Sequence, residues 1–144
     1  EFRRVLFRSF TYGDISLSRE SVECGEDLDV SVEVRNTGSR AGTEVVQVYL
    51  TDLEASTGVP IRQLVAVERI HLQPGAKNRM LLTVEARQMA LIRDDGSCFL
   101  EPGGFEISVG GCQPDKRSGE LTSGRTEARS ARFEVTGAEL EMQY

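Results

Sequence analysis

The sequence predicts an all-β fold of antiparallel sheets, and three observations carry that prediction. Apolar residues recur at every second position instead of at helical spacing. Clusters of Gly, Pro, Asn, Asp and Ser separate these runs at short intervals. Almost no helical stretch lies between them, so parallel strands joined by helical crossovers are not expected.

The elements follow in order. In "DLDVSVEV" (27–34), Leu28, Val30, Val32 and Val34 alternate with Asp29, Ser31 and Glu33. Successive side chains on a strand point to opposite faces, so this is a half-buried strand. "NTGSRAG" (36–42) is a turn. "TEVVQVYL" (43–50) is β-branched and aromatic, hence a second strand. Residues 51–60 lack periodicity, end in Pro60 and read as a loop. "QLVAVERIHL" (63–72) is the next strand, but neither of its faces is cleanly apolar. A bulge or bend that breaks the alternation is expected there.

"QPGA" (73–76) is a turn, with proline presetting φ and Gly75 supplying a positive φ. "NRMLLTVE" (78–85) is a strand, and "EARQMAL" (85–91) is a single helical turn. "RDDGSC" (93–98) carries Asp-Gly, a hairpin signal. "CFLEPGGFEISVGG" (98–111) gives a strand, a Pro-Gly-Gly corner and a strand in which Phe105, Ile107 and Val109 alternate. Residues 112–126 are polar and irregular, and "EARSARFEVTG" (127–137) is the last strand. About eight short strands with such turns pack as an immunoglobulin-like antiparallel β-sandwich.

The chain has 144 residues, the size of one domain. Its formal net charge is −6, from 17 basic and 23 acidic residues. That balance argues against nucleic acid and anionic membrane surfaces, which require clustered Lys and Arg. Basic residues do gather at 116–132, but Glu120 and Glu127 are interspersed, as in a solvated loop. No apolar run approaches the ~20 residues of a membrane span. The three cysteines, Cys24, Cys98 and Cys112, form neither a disulfide framework nor a zinc pattern. A Cys98–Cys112 bridge would require that their strands be neighbours.

"EFRRVLFRS" (1–9) has neither the apolar core nor the cleavage site of a signal peptide. It reads as the in-frame translation of a sequencing-library adapter, a non-native segment. The domain is then expected over 10–137, with 138–144 as a C-terminal tail. The natural chain would continue upstream of Phe10.

The search for chemistry centres on His71, the single histidine. A catalytic triad needs a base beside a nucleophile and an orienting acid. No nucleophile elbow occurs, and His71 reads as an exposed residue of its strand. "DDG" (94–96) is too short for a calcium loop and reads as a hairpin tip. Nothing singles out a carboxylate pair of the kind glycoside hydrolysis needs. The glycines of "EPGGFEISVGG" are not followed by Lys-Ser/Thr and a helix, so they form no phosphate loop. There is no Trp, and Tyr12, Tyr49 and Tyr144 are scattered, so an aromatic sugar-stacking platform is weakly supported. The expected site inventory is therefore empty: no catalytic residue, no metal ligand and no cofactor.

Three separated blocks carry a resemblance. They are "VRNTGSRAGTEVVQVYLTD", "PIRQLVAVERIHLQPGAK" and "LIRDDGSCFLEPGGFEISVGG". In this order they resemble the fibronectin type III-like domain at the C-terminus of family 3 glycoside hydrolases, β-glucosidases and β-xylosidases among them. The resemblance rests on Asn36-Thr37-Gly38, Ala41-Gly42 and Val45-Val46-Gln47, then on Pro60, Leu64, Arg69, Leu72, Pro74 and Gly75. It ends on Asp95-Gly96, Glu101-Pro102-Gly103, Phe105 and Gly110-Gly111. Cys98 and Val67 depart from the family at positions that are often aromatic. The segment 112–126 exceeds that of the shortest members.

The resemblance implies a fibronectin type III-like sandwich over about residues 10–137. It implies that the nucleophilic aspartate and the acid/base carboxylate belong to upstream domains, so no catalytic residue carries over. The implied partners are the catalytic domains of a parent glycosidase, with oligosaccharide met only through that parent, and neither nucleic acid nor membrane. Many members are exported from bacteria, and a localisation signal would then lie upstream of Phe10. A free-standing binding, adhesion or carbohydrate-binding module is the alternative, because sandwiches host many functions.

Overall fold

The structure is a computed structural model that describes residues 10–55, 62–111 and 128–143. The strands are β1 (Phe10–Tyr12), β2 (Ser16–Leu17), β3 (Ser21–Glu23), β4 (Leu28–Asn36), β5 (Gly42–Asp52), β6 (Gln63–Leu72), β7 (Lys77–Val84), β8 (Leu91–Ile92), β9 (Cys98–Leu100), β10 (Gly103–Gly110), β11 (Arg129–Thr136) and β12 (Leu140–Met142). A 3₁₀ turn at Ala86–Met89 follows β7.

Two sheets face each other. In the first, β4 is central, with β7 on one side and β1 and β2 sharing the other. The second runs β3-β11-β10-β5-β6. A small third sheet, β12-β9-β8, adjoins the sandwich. The alternation of the long strands explains the packing. Val30, Val32 and Val34 of β4 and Leu82 and Val84 of β7 turn inward from one sheet. Val46, Val48, Leu50, Phe105, Ile107, Phe133 and Val135 meet them from the other. This is the immunoglobulin-like sandwich that the alternation and turns predict, and the fibronectin type III-like arrangement that the resemblance implies.

The turns behave as their residues require. Gly75 has φ +76° and Gly96 has φ +86°. In the Asp-Gly hairpin, the Arg93 N–H donates to Ser97 O at 2.9 Å and the Gly96 N–H to Arg93 O at 2.8 Å. At the Pro-Gly-Gly corner the chain passes from the small sheet to the second sheet. Gly103 has φ +153°, and a Cβ there would stand 3.0 Å from the Glu54 carboxylate. That carboxylate accepts the Gly104 N–H at 2.6 Å, so the corner is fastened to the end of β5.

Three features differ from the sequence reading. The edge strand β3 pairs with β11 in parallel, because the chain leaves the first sheet after β2 and joins the second from the opposite direction. Residues 138–144, read as a tail, contain β12, which pairs with β9. Arg93 secures that end: its Nη2 bonds Glu101 at 2.8 Å and Glu139 at 2.9 Å, with the guanidinium 3.7 Å from the Phe99 ring centroid. The 51–60 segment is not loop throughout, since β5 runs to Asp52.

The expected break in β6 is present. Val48 pairs with Ala66, but Tyr49 pairs with Leu64, so Val65 is an extra residue. Val65, Ile70 and Leu72 are buried, while Leu64, Val67, Arg69 and His71 are exposed. The bulge changes which parity points inward part-way along the strand.

Candidate functional site

His71 lies on the exposed side of β6, where its Nδ1 is 3.0 Å from the hydroxyl of Thr43, its cross-strand partner. Asp94, Asp95 and Gly96 form the tip between β8 and β9, and Asp95 accepts the Ser97 N–H at 2.9 Å. These bonds with Ser97 hold the Asp95 carboxyl below its usual range. Among the described residues, no group of three His, Cys, Asp or Glu is placed to hold a metal ion. Cys24 and Cys98 are free thiols, and burial pushes the Cys24 thiol up. Cys112, and with it the Cys98–Cys112 pairing, lies outside the described residues, as do residues 1–9 and Tyr144.

One carboxylate that the sequence did not single out is buried. Glu44 occupies an inward position of β5 and is 8% exposed. The Tyr12 hydroxyl donates to its Oε2 at 2.9 Å, and the Val45 N–H to its Oε1 at 3.0 Å. Tyr12 belongs to β1, so this contact joins the two sheets. Burial raises the Glu44 pKa, and the two hydrogen bonds only partly oppose it. Both oxygens are engaged and the group is covered, which suits a structural role better than acid/base work on a sugar.

The sign of the pH effect follows. The folded state holds the proton more tightly than the unfolded chain, so ionised Glu44 costs stability above the raised pKa. That cost fades as pH falls to the ordinary carboxylate range. Glu44→Gln loses the charge at every pH. The melting temperature of Glu44→Gln minus that of wild type is therefore expected to be more positive near pH 7 than near pH 4. Melting curves of both proteins test this; a difference independent of pH would contradict it.

An open polar recess of about 350 Å³ lies beside β1 and β4, lined by Thr11, Tyr12, Gly13, Glu33, Arg35 and Arg129. Arg129 Nε donates across it to Tyr12 O at 3.0 Å. The Tyr12 ring is 2% exposed and presents no face for stacking. Tyr49 is half-buried, with its hydroxyl donating to Gln47 Oε1 at 2.6 Å. Neither described tyrosine offers the flat exposed ring that sugar stacking uses.

The surface is more informative around β5 and β6. Leu64 and Val67 are 48% and 50% exposed, and Leu53, just past β5, is 43% exposed. Leu53 lies against Gly104 of β10, whereas Leu64 and Val67 sit on the edge strand with about half their surface exposed.

Comparison with known proteins decides what kind of module presents this surface. Residues 44–113 match the family model described as a fibronectin type III-like domain. The chain carries a fibronectin type III-like domain. Its sequence is also similar to long glycosidases. It is 33% identical over 104 residues to a periplasmic β-glucosidase of Salmonella typhimurium, covering 72% of this chain and 14% of that protein. It is 36% identical over 104 residues to a β-xylosidase of Formosa agariphila, with the same coverage of 72% and 14%. A solved β-glucosidase from Erythrobacter marinus superposes with a TM-score of 0.75 at 30% identity, over 90% of this chain and 16% of that one. The fibronectin type III-like domain thus spans about one-seventh of the curated relatives it matches.

Proposed function

We propose that this chain is the non-catalytic, C-terminal accessory domain of a family 3 glycoside hydrolase. The parent would cleave β-glycosidic bonds of the β-glucosidase or β-xylosidase type. The domain would pack on the catalytic domains and stabilise them. The observation that carries this reading is the pattern of coverage. Most of this chain aligns with a β-glucosidase and a β-xylosidase, yet it accounts for only 14% of their length. The structure is compatible with a supporting module: its buried carboxylate is tied up internally and its histidine hydrogen-bonds a strand neighbour. Interdomain contacts of this kind bury roughly 600–1,500 Å².

A binding module and a supporting module differ in what they retain in isolation. The chain is expected to migrate unretarded in native gels containing soluble β-glucan or xylan. It is also expected to release no product from aryl β-glycosides. Retardation that strengthens with polysaccharide concentration would overturn the accessory reading in favour of a carbohydrate-binding module.

A further inference from the structure

We infer that the outer face of strands β5 and β6 is the surface on which the rest of the glycosidase polypeptide docks. The inference rests on the accessory-domain reading and specifies its contact. Four observations carry it.

The first is the bulge at Val65. Leu64 and Val67 are three positions apart, so on a regular strand they would face opposite sides. With Val65 unpaired, Leu64 lies opposite Tyr49 and Val67 opposite Gln47, and both join the outer face. The break in the ladder places two apolar side chains on the same exposed surface.

The second is composition. The outer-face positions of β5 are Thr43, Val45, Gln47, Tyr49 and Thr51, and those of β6 are Leu64, Val67, Arg69 and His71. None is acidic, in a chain with 23 acidic residues and a net charge of −6. The third is internal satisfaction. Tyr49 donates to Gln47, and Gln47 Nε2 donates to Gly111 O at 3.1 Å, so covering this face strands neither group. The fourth is contrast with the other sheet. Leu81, 71% exposed, is the apolar residue on the outer side of β7, and its surroundings are polar: Arg79 bonds Ser31, and Thr83 bonds Asp29.

The partner surface is therefore apolar where it meets Leu64 and Val67, and carries carboxylates toward Arg69. An apolar centre with a charged rim is the usual anatomy of a specific contact.

The test uses the parent glycosidase that the accessory-domain reading implies. Three parents are compared with wild type by calorimetry: Leu64→Glu/Val67→Glu, Leu81→Glu, and one lacking residues 10–144. Each point variant is also made in the isolated chain, and its own melting shift is subtracted. The expected result is a net fall of at least about 3 °C for Leu64→Glu/Val67→Glu in the parent. Leu81→Glu should show no net fall. A net fall for Leu81→Glu alone would overturn the assigned face and leave the accessory reading standing. So would a destabilising deletion with neither point variant showing a net fall. If the deletion also leaves the parent's melting unchanged, the accessory reading fails together with the face.

Discussion

Replacing Asn36 with alanine is expected to destabilise the chain by about 2–4 kcal/mol, because it strands the buried Leu72 carbonyl at one sheet crossover and unties part-buried groups at the other. Asn36 is fully buried at the end of β4. Its Nδ2 donates to Arg40 O at 2.8 Å and to Leu72 O at 3.0 Å, and its Oδ1 accepts the Gly38 N–H at 2.9 Å. Its backbone N–H donates to Ala76 O at 2.9 Å, and its carbonyl accepts the Gly75 N–H at 2.8 Å. The turn from β4 to β5 and the turn from β6 to β7 both cross between sheets, and this residue bonds both. Asn36→Asp keeps the shape but points one carboxylate oxygen at two carbonyls. It should destabilise at least as much near pH 7, and less in acid, where the protonated group regains one donor. Urea unfolding with an unchanged m-value is the readout. Losses below about 0.5 kcal/mol for both variants would show that the crossovers do not depend on this side chain.

The second large effect lies in the core. Phe105 and Phe133 are register partners on β10 and β11, each 2% exposed, with ring centroids 5.5 Å apart and planes 18° from parallel. Phe133→Ala is expected to cost about 3–5 kcal/mol through lost burial and the cavity it leaves. Phe133→Leu, which keeps most of the volume, should cost less than about 1.5 kcal/mol. Leu81→Ala, at an exposed position, should stay within about 0.5 kcal/mol of wild type. A Phe133→Ala loss no larger than that of Leu81→Ala would contradict the inward orientation of β11.

The sandwich was legible because its long strands bury one face only. Alternation in β4 and β10 named the inward residues directly, and Gly75 and Gly96 marked turns that adopt the positive φ their residues allow. The mixed parity of residues 63–72 signalled a bulge, but not where it falls. Without its position, Leu64 is assigned to the wrong face, and the acid-free surface beside Val67 goes unseen. Asn36 read as one turn former among several, because the groups it joins are 36 positions apart in one case and appear only when the sheets close. Glu44 looked like an ordinary polar residue of its strand, and only the arrival of Tyr12 from β1 shows that it is covered. The strand β12 was missed because three residues with an exposed Leu140 carry too little pattern; its order comes from β9 and from Arg93.

The central claim is that this domain supports catalytic domains that it does not itself contain. The most direct measurement is calorimetry and steady-state kinetics on the proposed parent glycosidase with and without residues 10–144. The account predicts a lower melting temperature or soluble yield without the domain, with the hydrolytic residues still present in what remains. An unchanged melting temperature, yield and kcat/KM would contradict it.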